Sequence, residues 1–153
     1  MNEETATIVD PVEFDAAAEP GNIPAAVAAG LAAALVGAVV WALIGYATGA
    51  SLGLVAILVG AIVGVAVRAA GKGHSAIFQY IGAGCAALGW ALGTVLVDEA
   101  FVAKQAGRPF LDVVAALGAG NAVSLALSAA DGMDLLFLGI ACYEGYKFSR
   151  MRD

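Results

Sequence analysis

The feature that most constrains this chain is a long segment almost without charge. Between Gly21 and Val97 there is no Asp or Glu, and Arg68 and Lys72 are the only Lys or Arg. A soluble domain of this size cannot bury so much apolar sequence, whereas a bilayer accepts helices of about 20 apolar residues. Hydrophobic residues make up 61% of the 153 residues and charged residues 13%, against about 45–50% and about 25% in soluble domains. The sequence predicts an all-α, polytopic membrane helix bundle.

Four transmembrane helices are predicted in a domain that covers residues 23–153. Pro24 suits a first helical turn, and Gly49 can adopt the positive φ that ends a helix. Ser51 can cap the next helix, and so short a turn makes the two helices antiparallel neighbours. The predicted spans cover residues 24–48, 51–69, 76–97 and 131–147.

The region between the third and fourth spans is interpreted as interfacial or re-entrant, over residues 109–130. Pro109–Leu117 predicts one short helix, and Asn121–Ala130 a second. Asp131 can cap the last span, with Asp134 in its acidic first turn. Met133–Tyr146 is only about 14 residues, roughly 21 Å, so this helix either starts near Asn121 or has snorkelling flanks.

The charges outside the spans suggest a topology and exclude one class of partner. Six of the thirteen acidic residues precede Pro20, which predicts a solvated, disordered tail over residues 1–22, or a tail that binds a partner. No basic patch supports nucleic-acid binding. Five cations fall on one side of the four-span topology and two on the other, which predicts cytoplasmic termini. The five are Arg68, Lys72, Lys147, Arg150 and Arg152, and the two are Lys104 and Arg108.

Glycines spaced by four residues predict close helix packing. Small residues at this spacing lie on one helix face and allow backbones to approach, which drives helix association in lipid. We expect these contacts to lie within one chain. The candidate packing residues are Gly45, Gly49, Gly53, Gly60, Gly64, Gly89 and Gly93.

A few polar residues in the apolar segments are candidates for a polar path. Polar groups at membrane depth are costly and therefore suggest function. Asn121, Ser124 and Ser128 share one helical face, and Glu144 has a purely structural alternative, a pairing with Lys147 three residues on. The candidate path consists of Gln79, Asn121, Ser124, Ser128 and Glu144.

No pattern in the chain indicates catalysis, a cofactor or a metal. His74 is the only histidine and has no Cys, Asp or Glu near it in sequence, which makes a poor metal site. Cys85 and Cys142 lie in apolar segments, where cysteine usually packs as a small hydrophobe. Phosphate-binding loops and nucleophile motifs are absent. We therefore predict a protein that is not an enzyme and needs no cofactor.

Two stretches resemble a family of small bacterial integral membrane proteins of unknown function. The first is the run from Gly37 to Gly73, with WALIGYATG, Gly53, GAIVGVAVR and GKG, and the second is DLLFLGIACYEGYK near the end. Such proteins often carry an aromatic–acidic pair after the turn glycine, where Ala50 and Ser51 stand in this chain. The resemblance implies a helical bundle in the bacterial cytoplasmic membrane and no activity.

Two functions of different classes fit these patterns. The first is a structural or accessory subunit that packs with a membrane-protein partner, which requires a dry interior of small residues. The alternative is a homo-oligomeric pore or a small-solute carrier, which requires the polar candidates to face a common lumen. In both, the lipid bilayer is the solvent of the protein.

Overall fold

The computed structural model describes residues 21–49, 53–129 and 131–151. The predicted acidic tail up to residue 20 and the predicted cap at Ser51 lie outside these residues. The described part contains helices and no strand, so the all-α prediction is confirmed. The helices are α1 (Ile23–Thr48), α2 (Gly53–Gly71), α3 (Ala76–Ala106), α4 (Phe110–Ala129) and α5 (Gly132–Phe148).

Three helices are long and apolar enough to cross a membrane. They are α1, α2 and α3, with 26, 19 and 31 residues, or about 39, 28 and 46 Å. The last helix, α5, has 17 residues and contains Asp134, Glu144 and Lys147, so it does not join this group. A fourth span is therefore not established by length and composition.

Several helix ends carry the residues that the sequence indicated. Pro24 stands in the first turn of α1, where the Asn22 side chain accepts the Ala25 N–H at 2.9 Å. Gly49 ends α1 with φ 68°, in the left-handed conformation that glycine tolerates best. Asp131 and Asp134 form a reciprocal capping box at the start of α5. Helix α2 differs, because the left-handed residue after its end is Lys72, with φ 49°, instead of a glycine.

The third helix continues well past the predicted end of its span. Asp98 and Glu99 were expected to end the apolar helix at Val97, yet α3 runs to Ala106 and is capped by Gly107 with φ 62°. The extension is held by small residues, because Ala100 and Ala103 are completely buried. Two adjacent acids lower the hydropathy of a segment, but they do not break a helix that still has a packed face.

The fourth helix consists of two pieces. Gly118 has φ 66° and ψ 159°, which no helix contains, and it separates Phe110–Leu117 from the residues that follow it. The break falls between the two short helices that the sequence predicted. Its position relative to a membrane surface stays a prediction.

Four helices form the bundle, and α4 lies outside it. Contacts join α1 with α2 and α3, α2 with α3, and α5 with both α2 and α3, whereas α4 contacts α3 alone. Asn22 N–H donates to the Gly71 carbonyl at 2.7 Å, so the start of α1 meets the end of α2. Ser149, just past α5, lies beside Gly64 and Gly82. Helix α5 therefore runs in the direction of α2 and antiparallel to α3.

The two ends of the bundle differ in charge. The end where Asn22, Gly71, Ser75 and Ser149 lie is called the basic end. Its cations within the described residues are Arg68, Lys72, Lys147 and Arg150. The opposite end, with α4 and the start of α5, is called the acidic end. It carries Lys104 and Arg108 together with Asp98, Glu99, Asp112, Asp131 and Asp134.

Candidate functional site

Helix α5 fits between α2 and α3 because all three helices present small residues. A Cβ atom added to Gly145 would lie 2.6 Å from the Gly82 carbonyl oxygen and 2.7 Å from the Ala86 Cβ. A Cβ added to Gly64 would lie 2.8 Å from the Gly145 carbonyl oxygen. The obstacles are mostly backbone atoms, which cannot rotate away. We call Gly64, Gly82, Gly145 and Ser149 the glycine junction.

Ser149 makes the polar contact of the glycine junction. The residue is only 1% exposed. Its Oγ lies 2.7 Å from the Gly145 carbonyl oxygen and 3.3 Å from the Gly64 carbonyl oxygen. A hydroxyl has one hydrogen to donate, so the two carbonyls share it. The contact joins the end of α5 to the middle of α2 and leaves the buried hydroxyl satisfied.

The predicted packing glycines contact neighbouring helices of the same chain. Gly60 faces the Ala141 backbone, and a Cβ on Gly45 would lie 3.3 Å from Val97. A Cβ on Gly89 would lie 3.0 Å from Val59. Gly53 meets the ring of Phe137, Gly93 the ring of Trp41, and Gly49 and Gly64 meet Lys104 and Phe148. That these glycines drive helix association stays a prediction.

Sequence reasoning missed Gly82, Gly145 and Ser149, and the signal was available. On α5, Ala141, Gly145 and Ser149 are spaced by four residues and form one small-residue face. Pairs of glycines spaced by four do not include this face, whereas Ala and Ser allow nearly the same approach. Counting all small residues would have found the face by which α5 packs.

The structure does not bring the five polar-path candidates together in one chain. Gln79 and Glu144 lie toward the basic end, whereas Asn121, Ser124 and Ser128 lie on α4 at the acidic end. Within the described residues α4 and α5 make no contact. A common lumen would therefore need a second copy of the chain.

The α4 stripe is satisfied by its own helix. Asn121 Nδ2 donates to the Leu117 carbonyl at 2.9 Å, and Ser124 Oγ to the Gly120 carbonyl at 3.0 Å. Ser128 Oγ donates to the Ser124 carbonyl at 2.7 Å. All three residues are exposed, so the stripe presents polar atoms outward without needing a partner.

Glu144 is accounted for by a local pairing. Its Oε1 lies 4.0 Å from Lys147 Nζ, which confirms the predicted contact three residues along the helix. The same ammonium lies 5.6 Å from the centre of the Tyr143 ring and 5.5 Å from that of Phe148, within cation–π range. Nothing in this arrangement indicates a transported ion.

Two adjacent acids at the acidic end, Asp98 and Glu99, lie against the bundle with no ion pair in the described residues. Glu99 is 3% exposed, and Asp98 Oδ2 is buried without a hydrogen-bond partner. Asp134 of α5 adds a repulsive interaction with Asp98. Sequence reasoning treated Asp98 and Glu99 as the end of a span and overlooked them as buried groups. Their place directly after an apolar run was the available signal.

Aromatic side chains fill the bundle beside these acids. Trp41 packs with Ala56 and Val97, and Trp90, Phe101 and Phe137 surround that group. We call Trp41, Trp90, Phe101 and Phe137 the aromatic cluster. The Nε1 atoms of Trp41 and Trp90 are buried without hydrogen-bond partners. This half of the bundle therefore holds two unpaired donors and one unpaired acceptor.

Metal and thiol chemistry find no assembled site in the described part of the chain. Within it, no three His, Cys, Asp or Glu side chains gather in a way that could hold a metal ion. Cys85 is buried in the core with Val63, Val67 and Phe78, and Cys142 is a free, half-buried thiol. Both cysteines act as packing residues here.

Comparison with known proteins gives no relative from which to transfer a function. No protein-family model, no curated protein and no solved structure matches this chain at a significant level. The resemblance to small bacterial membrane proteins therefore stays a prediction.

Proposed function

We propose that this chain is a structural or accessory subunit of an assembly in the bacterial cytoplasmic membrane. The observation that carries the proposal is the closed interior of the bundle. At the glycine junction, backbone atoms of α2, α3 and α5 lie so close that even a methyl group does not fit between them. Such an interior suits a rigid packing element and leaves no room for a passing solute.

The distribution of charge supports the same proposal. From Gly53 to Val67, from Ala76 to Val97 and from Leu135 to Tyr143 the helices carry no Asp, Glu, Lys or Arg, and α1 carries none at all. An ion or proton path through one chain needs polar groups at mid-depth. Here the charges lie toward the ends.

The proposal includes α5 as a fourth span and both termini in the cytoplasm. Helix α5 packs against α2 and α3 along its whole length, with Phe137 beside Gly53 of α2 and Gly145 beside Gly82 of α3. Its 17 residues cover about 26 Å, close to the hydrocarbon thickness of ~30 Å. Four described cations lie at the basic end and two at the acidic end, and cytoplasmic flanks are rich in Lys and Arg. This orientation puts the basic end in the cytoplasm.

An accessory subunit also needs a surface for its partner, and the acidic end offers one. Helix α4 is held by α3 alone, and Leu127 on it is 73% exposed. At the start of α5, Met133 is 55% and Leu135 67% exposed. We assign the partner contact to this surface, formed by the second piece of α4 and the first turns of α5.

The alternative function, a homo-oligomeric pore or carrier, is favoured by one observation. Asn121, Ser124 and Ser128 are exposed on one face of α4, so several copies could turn these faces toward a common lumen. Against it, each side chain already bonds a carbonyl of its own helix. It is therefore the second candidate.

Native mass spectrometry of the protein, extracted with its own lipid, distinguishes the two functions. We expect a complex with a stoichiometric second protein. A closed homo-oligomer would favour the pore, and a monomer would contradict both the accessory subunit and the pore and leave the small-solute carrier. A photo-crosslinking residue at Ser124, with a control at Leu35 on α1, locates the contact, since only Ser124 belongs to the assigned surface. In the pore, Glu144→Gln should alter solute flux, whereas unchanged flux supports the accessory subunit.

A further inference from the structure

A groove on the outside of the bundle has a cation at one end. It lies between α1, α3 and α4, has a volume of about 270 Å³, and is lined by Val39, Ala42, Leu43, Tyr46, Leu96 and Phe110. All its lining side chains are apolar or aromatic. The α1 residues recur at helical spacing over about 10 Å of the helix axis, so the groove runs along a helix that is apolar enough to cross a membrane.

The groove ends where Lys104 is fixed. Lys104 Nζ donates to the Tyr46 carbonyl at 3.1 Å and to the Ala47 carbonyl at 3.5 Å. A cation at the C-terminus of a helix is favoured by the helix dipole, which explains why the ammonium stays there. An ammonium has three donors, and one remains after these two contacts.

A second cation lies on the short connection between α3 and α4, near the groove in sequence. Arg108 is exposed, lies two residues before Phe110, and makes no ion pair within the described residues. Arg108 lines a second pocket, together with Val113 and Asn121, and would turn from it to reach the groove. Guanidinium groups bind phosphate with paired hydrogen bonds. An apolar groove with Lys104 fixed at its end and Arg108 on the adjacent connection suits a lipid chain followed by its phosphate.

We infer that this groove binds one phospholipid of the bilayer. The acyl chain lies along Val39, Leu43 and Phe110, and the phosphate takes the free donors of Lys104 and Arg108. The commitment to a lipid rests on the length and apolar composition of α1, which suit a bilayer, and on the Lys104 ammonium held beside the groove residue Tyr46. The bound lipid would fix α4 against α1, which α4 does not contact directly.

The test measures lipid binding by native mass spectrometry on the full chain, delipidated in detergent. The probes are dioleoylphosphatidylglycerol and dioleoylglycerol, which carry the same chains with and without a phosphate. We expect the wild type to bind one added phospholipid and to bind the diacylglycerol more weakly. Lys104→Gln with Arg108→Gln should weaken phospholipid binding about tenfold and leave diacylglycerol binding unchanged.

Two controls separate the groove from nonspecific binding and from damage to the fold. Lys147→Gln with Arg150→Gln removes two cations at the basic end and should leave phospholipid binding unchanged. Val39→Phe fills the groove and should weaken both lipids, whereas Leu35→Phe, one turn away and also exposed, should weaken neither. Arg108→Gln alone leaves the contact of Lys104 with α1 intact and should still weaken phospholipid binding, though by less than the double variant. Equal losses in the cation variants of both ends, or no effect of Val39→Phe, would overturn the inference.

Discussion

The glycine junction and the aromatic cluster close the same bundle by opposite means. At the glycine junction α5 meets α2 and α3 backbone to backbone, and Ser149, the buried polar side chain there, is hydrogen-bonded. At the aromatic cluster large rings fill the space, and Trp41 Nε1, Trp90 Nε1 and Asp98 Oδ2 remain unpaired. Close backbone packing thus leaves its buried hydroxyl satisfied, whereas ring packing leaves three buried polar atoms without partners. We therefore expect the aromatic cluster to tolerate substitution better than the glycine junction does.

The strongest test of this comparison is Gly145→Ala. The new methyl group would collide with the Gly82 carbonyl, and because backbone cannot rotate away, α5 must shift. We expect the free energy of unfolding to fall by about 1–3 kcal/mol. Gly139→Ala on the same helix is the matched control, since nothing lies within 4 Å of it. Unfolding in mild detergent, followed by far-UV circular dichroism, measures both; equal effects would contradict a backbone-limited junction.

Gly93→Ala tests the aromatic cluster in the same way. Its methyl group meets the ring of Trp41, a side chain that can move within the cluster. We expect a smaller loss, about 1 kcal/mol, together with a changed near-UV circular dichroism spectrum. Gly84→Ala on the same helix has open space around it and should change neither. A loss as large as that of Gly145→Ala, with an unchanged spectrum, would mean that the rings are as rigid as the junction.

Ser149→Ala measures what the polar contact of the glycine junction contributes. It removes the hydroxyl that the Gly145 and Gly64 carbonyls share, and such contacts between membrane helices contribute about 0.6 kcal/mol on average. Ser124→Ala is the control, because its hydroxyl bonds only its own helix and is exposed. Chemical unfolding of both variants should show a loss in Ser149→Ala alone. No difference between them would assign the junction to packing only.

Asp98→Asn is expected to have the smallest effect and the opposite sign. It removes a charge that repels Asp134 and replaces a half-buried carboxylate, whose Oδ2 is unpaired, with a neutral amide. We expect a gain of roughly 0.5 kcal/mol at neutral pH, the size of a like-charge pair. Asp112→Asn removes an exposed acid in the first turn of α4, where the charge is favourable, and should therefore not raise the thermal unfolding temperature. A loss of stability in Asp98→Asn would show that the carboxylate is stabilised in the folded bundle and would contradict the repulsion.

The helix ends were predictable wherever one residue decides the local geometry. Gly49 and the Asp131–Asp134 pair act through their own backbone or a contact three residues away, so sequence is sufficient. The length of α3 was not predictable in this way. Its extension past Val97 depends on Ala100 and Ala103 finding packed neighbours, and that is a property of the folded bundle.

The candidate sites show the same limit more strongly. The pairing of Glu144 with Lys147 is local, so the sequence predicts it. The position of α5 between α2 and α3 depends instead on which faces of the three helices meet. Periodicity shows that a face is small or polar, but it does not show which helix covers that face. For this reason the polar stripe of α4 was joined with Glu144 in one hypothesis, although the two lie at different ends.

The position of α5 between α2 and α3 also sets an order of assembly during synthesis. Gly64 of α2 and Gly82 of α3 both precede α5 in the chain, so the ribosome completes these two helices before the last helix emerges. Until then the space between α2 and α3 is open to lipid or to an insertion factor. Insertion of α5 closes the nascent bundle, and a truncation before Gly132 would leave the space between α2 and α3 unfilled.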